Sequence, residues 1–225
     1  MARPRRQPHR PDSRARLLTA ARVEFARHGY AGASVDRVSA RARLNKAMLY
    51  YHFGSKAGIY REILRDVFRT LGEGARAVAE GPGSPEQRLR GFVEVLAREI
   101  GRRPHFPHIM MREMAEQGLH LDAETLRLLL VVPRTFGEIV AQGVAAGAFR
   151  PVDPLLAYLS VLGPVVIFTA SASMRAEAMK KIGPVFTEPG HDDLVTHVQA
   201  VALGMLSGSV GAAPLGTMLE TTDGT

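Results

Sequence analysis

The sequence predicts an all-α protein, with an N-terminal three-helix, helix-turn-helix unit followed by a larger helical body, about nine helices in all. Three observations carry this expectation. Apolar residues recur at three- and four-residue spacing, and no strand pattern or internal repeat is found. Helix-capping residues and Gly or Pro breaks punctuate the chain at helix-length intervals. Charge is also divided: residues 1–65 carry 15 Lys and Arg against 4 Asp and Glu, whereas the remainder carries 14 against 18. A basic first third on a neutral-to-acidic body points to a polyanion-binding module attached to something else.

Residues 1–12 (MARPRRQPHRPD) are rich in Arg and Pro and are expected to form a disordered basic arm, whose contact with a polyanion stays open. The first helix is predicted over 13–28, with Leu17, Leu18, Ala21 and Phe25 on one face and Gly29 as its stop. Ser34 caps a second helix over 34–41, with Asp36 in the first turn where the dipole favours a carboxylate. After a three-residue turn, Asn45 caps a third helix over 45–52, Leu49 and Phe53 face inward and Gly54 ends it. Ser55 opens a fourth helix with Ile59, Ile63 and Val67 every four residues. Gly81-Pro82-Gly83 breaks the chain, and Ser84-Pro85-Glu86-Gln87 starts a fifth helix with a capping-box pattern. A break at 101–104 precedes a sixth helix over about 106–117 and a seventh over about 122–147, which Pro133 is expected to kink or divide. Asp153-Pro154 begins an eighth, and a ninth runs from near Asp192 to about Ser209. The expected units are the arm 1–12, a helix-turn-helix domain over 13–55, a body over 56–210 and a loose tail over 211–225.

The chain has no cysteine, which excludes disulfides and thiolate metal sites and fits a reducing cytoplasm. No apolar segment follows the basic N-terminus as in a signal peptide, and no membrane association is expected. The most apolar stretch, 155–173, contains Gly163 and Pro164 and is read as a buried helix. His105 and His108 stand three apart, but Pro107 between them spoils regular helix and no further ligand follows at metal spacing, so no metal and no cofactor are expected. No P-loop, dinucleotide fingerprint, G-x-S-x-G or HExxH occurs, so no enzyme is predicted.

The richest segment is 45–56, NKAMLYYHFGSK, which exposes aromatic and cationic residues together. Cores rarely need that mixture, whereas a surface touching base edges and phosphates does. Two short helices joined by a three-residue turn would place the N-terminal residues of the second in the major groove. There Lys46 can donate to guanine, Ala47 permits close approach, and Met48 offers apolar contact to a thymine methyl. Tyr50 and Tyr51 can reach a base edge and a phosphate, and His52 and Lys56 suit phosphate, Lys56 standing at the start of a helix. Arg14 and Arg37 are further phosphate candidates, and the caps Ser34 and Asn45 complete the expected double-stranded DNA surface.

Over residues 16–64 the chain resembles the TetR family of bacterial transcriptional regulators, on LLTAARVEFARHGYAGASVDRVSARA and LYYHF-x-SK. The resemblance implies an all-helical homodimer in which helices one to three bind DNA, helix four links to a ligand domain and the last two long helices form the dimer interface. Three positions depart from the family pattern: Arg43 stands where the turn normally has glycine, Met48 replaces a small or hydroxyl residue, and the family's Ser-Lys-Glu becomes Ser55-Lys56-Ala57-Gly58. Gly58 is expected to soften the first turn of helix four by about 1 kcal/mol relative to alanine.

In the body, Phe92, Leu96, Met110, Met111, Met114, Phe136, Val165 and Phe168 form a candidate pocket, since methionines adapt to varied apolar shapes. Glu113 beside them is a possible ligand anchor, with pairing to Arg112 or another surface cation the favoured alternative. Leu155, Tyr158, Leu159 and Leu162 make one stripe, and Leu194, Val198, Val201, Ala202, Met205 and Leu206 another; two terminal stripes suit a four-helix bundle between two subunits. The expected function is a cytoplasmic ligand-responsive regulator, a repressor, that binds a palindromic operator as a homodimer and releases it for a small apolar or amphipathic effector. The alternatives are a DNA-binding protein without an effector, constitutive or partner-controlled, and an enzymatic body tethered by the DNA-binding unit.

Overall fold

The computed structural model describes residues 12–207, so the expected arm (apart from Asp12), the tail and the end of helix nine beyond 207 lie outside the described residues. Within them the chain forms nine helices and no strand: α1 (Ser13–Gly32), α2 (Val35–Ala42), α3 (Lys46–Phe53), α4 (Lys56–Glu80), α5 (Pro85–Gly101), α6 (Phe106–Ala115), α7 (Ala123–Ala145), α8 (Pro154–Ile182) and α9 (His191–Ser207). The all-α expectation holds, with an N-terminal helix-turn-helix unit and a helical body.

The punctuation works as its chemistry dictates. The Asn45 side chain accepts from the Ala47 N–H at 2.9 Å, that of Ser55 from Gly58 at 2.9 Å, and that of Asp153 from Leu156 at 2.8 Å. Ser84 and Gln87 close a reciprocal capping box at 3.3 and 2.8 Å. Each cap satisfies an otherwise orphaned N–H and is worth about 1 kcal/mol. Gly29 takes φ +67°, a left-handed value that suits glycine, and interrupts α1 so that a short helical extension follows it. Pro133 does not divide α7, which runs continuously through it.

α4 is the spine. It packs along α7 and α5 and against α1 and α3, while α5 in turn supports α8 and α9. Leu17, Phe25 and Leu49 from the head, Ile59 and Ile63 from α4, and Phe92, Leu96 and Phe136 from the body are all buried in one contiguous core. Each contributes about 1.5–3 kcal/mol of apolar burial. Arg150 fixes the end of α9, its backbone N–H and Nε donating to the Leu206 and Met205 carbonyls at 2.8 Å each.

α8 differs from the expectation of a buried helix. Only Ala157, Tyr158, Val161 and Val165 are buried along it, and Leu156, Ile167 and Met174 are 66%, 56% and 70% exposed. Both α7 and α8 are long and apolar enough to cross a membrane on length and composition, with 33% and 22% of their most apolar windows buried.

Candidate functional site

α2 and α3 meet through a three-residue turn, and the spacing decides what α3 shows to solvent. Leu49 is fully buried and Phe53 half-buried on one side, leaving Lys46, Ala47, Tyr50 and Tyr51 on the other, at i, i+1, i+4 and i+5. Tyr51 is 81% exposed and Tyr50 45%, large values for tyrosines in a short helix. Met48 lies between the two faces, half-buried against the core, so part of the apolar surface expected at a base edge is used inside the protein.

Most of the expected phosphate contacts already hold intramolecular partners. Arg14 pairs with Glu62 and lies 5.4 Å over the Phe53 ring. Arg37 donates Nε to Glu24 at 2.6 Å and another N–H to the Gly32 carbonyl at 2.5 Å. Burial would raise the Glu24 carboxyl, but the Ser34 N–H and Arg37 outweigh it and hold the group below its usual range. Arg37 therefore serves first to neutralise a buried carboxylate that fixes the start of α2. The Ser34 hydroxyl accepts from the Asp36 N–H at 3.2 Å. His52 Nε2 sits 2.7 Å from the Ser13 hydroxyl. Lys56 reaches the Ala31 carbonyl at 3.2 Å and lies 4.8 Å over the Tyr30 ring. Lys46 pairs with Asp36 at 2.9 Å on the surface, and a hydrogen bond and Coulomb attraction from Asp36 raise its pKa.

Three features of the head were missed from sequence. Arg16 donates to the Ala42 and Arg43 carbonyls at 2.6 and 3.2 Å, closing the C-terminus of α2. Arg41 and Arg43 are exposed and form no ion pair among the described residues; their Arg-Ala-Arg spacing at the turn was the available signal. Gly58 is also not a soft point: a Cβ there would lie 1.9 Å from the Phe53 carbonyl oxygen, so glycine allows the end of α3 to cross the start of α4. Arg43, where the family pattern has glycine, adopts φ +52°, ψ +47°, the left-handed conformation a glycine would take without cost.

In the body, a cavity of about 280 Å³ lies among α4, α5, α6, α7 and α8. Leu96, Met110 and Met114 line it as expected for pocket residues, together with Phe68, Phe106 and Val132. The other five candidates do not. Phe92, Phe136 and Val165 are wholly buried in the core behind it, the Phe92 and Phe136 rings 5.2 Å apart. Phe168 lies under the Arg175 guanidinium at 4.1 Å. Met111, one residue along the helix and about 100° around it from Met110, does not line the cavity.

The two stripes expected at a dimer interface differ: most of the α9 stripe turns inward, whereas Leu155 and Leu159 of the α8 stripe are 57% and 49% exposed. Leu155, Tyr158, Leu159 and Leu162 of α8 line the cavity. Leu194, Val198, Ala202 and Leu206 of α9, at strict four-residue spacing, are buried within the chain where α9 packs on α5 and α8. Val201, 44% exposed, and half-buried Met205 stay nearer the surface. Periodicity marked apolar faces but not what covers them.

α6 joins cavity to head. One face carries Met110 and Met114; another carries Glu113, which is 1% exposed rather than a surface or ligand-facing group. Glu113 accepts from the Tyr60 hydroxyl at 2.6 Å and the His120 N–H at 2.8 Å, and lies 3.1 Å from His120 Nδ1. Burial and the Glu113 hydrogen bond push the Tyr60 phenol well up, so it stays a donor. The His120 ring lies 3.9 Å from that of Tyr30 at the end of α1, and Arg112 donates to the Arg27 carbonyl at 3.2 Å. Glu113, Glu116 and His120 place their possible ligand atoms within 4.8 Å of one another, but both Glu113 oxygens are already engaged in this network.

Known proteins with this arrangement are consistent in kind. The family described as bacterial regulatory proteins, tetR family, matches residues 17–63, and the tetracyclin repressor-like C-terminal domain matches residues 85–181. The HTH-type transcriptional repressor NicS of Pseudomonas putida is 29% identical over 141 residues, 62% of this chain and 61% of its own length. The repressor SCO4008 of Streptomyces coelicolor is 31% identical over 106 residues, 47% of this chain and 52% of its own. The chain thus spans about half to three-fifths of these two relatives. Among solved structures, the regulator PfmR of Thermus thermophilus superposes with a TM-score of 0.64 at 27% identity, over 86% of this chain and 98% of that one. The ketosteroid regulator KstR2 of Mycobacterium tuberculosis gives 0.69 at 20% identity, over 89% and 97%, a likeness of fold. With one matched model on the reading head and a second on the body that houses the cavity, the chain belongs to the TetR family of bacterial regulatory proteins.

Proposed function

We propose that the protein is a cytoplasmic, homodimeric transcriptional repressor that binds a palindromic operator through α3 and releases it when a small apolar or amphipathic molecule enters the cavity. The observation that carries this reading is α6, which offers Met110 and Met114 to the cavity and, from its other side, Arg112 and Glu113 to α1 and α4. A ligand that displaces α6 strains both contacts at once, and can weaken DNA binding only by as much as it prefers the displaced state. Tyr158 is the one lining residue with a strong hydrogen-bonding side chain, which favours a ligand with a single polar group on an apolar body.

The second copy is supported by α8, apolar around its circumference yet largely uncovered, with Leu156, Ile167 and Met174 outward. A two-fold dimer is what reading successive major grooves about 34–36 Å apart, or a multiple, requires. Arg134 and Glu138, both exposed on α7, argue against a bilayer as the cover.

The test is operator selection from random duplexes, followed by titration of wild type and a Lys46→Ala/Tyr50→Ala double variant. The variant is expected to lose specific affinity by at least a hundredfold while sedimenting as the same dimer. Retained specificity would sink the assignment of α3, and a monomeric wild type that still binds the full operator tightly would sink the dimer.

A further inference from the structure

A second cleft, of about 240 Å³, opens between the head and the body where α1 passes the α5–α6 turn. Its rim holds Thr19 and Arg22 from α1 and Arg102, Arg103 and His105 from the turn, over an apolar floor that includes Phe106. We propose that this cleft binds a phosphate or carboxylate group of a small molecule, and that the bound anion ties the head to the body.

The charges do not cancel locally. Arg22 has Asp66 at 3.0 Å and Arg98 has Glu94 at 3.4 Å, but Arg102 and Arg103 share the one carboxylate of Glu99 at 3.0 and 2.5 Å. Guanidinium groups that share too few carboxylates are suited to carboxylate and phosphate oxygens. Burial lowers the His105 pKa, and His108, Arg27 and Arg22 push it the same way, so the charges acting on the ring are all positive. The cleft, at about 240 Å³, has room for one or two phosphate groups.

Two sources share this chemistry. One is a free small anion. The other is the anionic end of a molecule whose apolar part fills the larger cavity, since Phe106 lines both spaces; only this second source rests on the cavity reading above. Either would link α1 to the α5–α6 turn and so bias the position of the head.

Calorimetric titration of the full chain at low salt with inorganic pyrophosphate and, separately, with dodecyl phosphate distinguishes them. Saturable pyrophosphate binding that Arg102→Ala weakens at least fivefold supports a free anion; Arg102 is mostly exposed, so the variant should fold. Saturable binding of dodecyl phosphate alone, weakened at least fivefold by Arg102→Ala and also by Met110→Arg, supports the anionic end of an amphipath. Dodecyl phosphate binding lost in Met110→Arg but unchanged in Arg102→Ala and Arg22→Gln overturns the anion site while leaving the apolar cavity intact. No saturable binding of either probe also overturns it.

Discussion

Replacing Gly58 with alanine separates two accounts of the start of α4, because they differ in sign. On helix propensity alone the substitution should stabilise by about 1 kcal/mol. The geometry predicts the reverse. The new Cβ would stand 1.9 Å from the Phe53 carbonyl oxygen and 3.1 Å from its carbonyl carbon. Carbon–oxygen contacts settle near 3.3–3.6 Å, so the Phe53 peptide must retreat by about 1.4 Å. That carbonyl accepts the Ser55 N–H at 2.8 Å, and the adjoining Gly54 N–H donates to Tyr50 at 2.8 Å, so the retreat disturbs the hydrogen bonds that end α3. Overpacking of this kind costs about 1–3 kcal/mol and a weakened hydrogen bond about 1 more. Set against the propensity gain, the net loss is about 1–3 kcal/mol. For a chain of this size the midpoint should fall by about 3–10 °C. Thermal unfolding followed by circular dichroism, at one fixed protomer concentration because association shifts the midpoint, measures it. Operator affinity should drop as well, since the end of α3 moves. A rise in midpoint would refute the steric argument and restore Gly58 as a weak first turn.

Other substitutions probe the remaining inferences. Met110→Arg should abolish effector release of DNA while operator affinity without effector persists, and Met111→Arg, on the exposed face, should leave the response unchanged; equal effects from both would remove α6 from the cavity reading. Arg43→Gly should stabilise by about 0.5–1 kcal/mol in urea unfolding, because glycine relieves the left-handed backbone. It should also lower DNA affinity uniformly across sequences and reduce the salt slope by about one if the exposed guanidinium meets a phosphate. Asp122 caps α7, and hydrogen bonds from Arg65 and Thr125 hold its carboxyl far below the usual range. Its contribution is therefore present above the ordinary aspartate range, near pH 4, and is lost as pH falls towards the depressed value. Asp122→Asn should be less stable than wild type at neutral pH and converge with it on acidification, and a gap that stays constant down to pH 2 would discount the pairing.

The primary sequence by itself determined the elements. Capping side chains act through bonds two or three residues away, which is why Asn45, Ser55, Ser84 and Asp153 marked helix starts correctly. The exposed face of α3 was legible for the same reason, since 3.6 residues per turn put Tyr50 and Tyr51 opposite Leu49 and Phe53 once the helix was located. What only the tertiary structure decided was what each face meets. The apolar stripes of α8 and α9 read from sequence as subunit contacts; packing on α5 and α8 turns most of the α9 stripe inward, whereas Leu155 and Leu159 of α8 line the cavity and are also half exposed. The charges of Arg14, Arg37 and Lys56 looked available until Glu62, Glu24 and the Ala31 carbonyl, 25 to 48 residues away on Arg14 and Lys56 and 13 away on Arg37, came into reach. Glu113 moved from surface to interior for the same reason: its partners Tyr60 and His120 stand on other elements. Helix propensity and capping are local and survive in one dimension, whereas burial, pairing and the crossing of α3 over Gly58 depend on segments that meet only when the chain has folded.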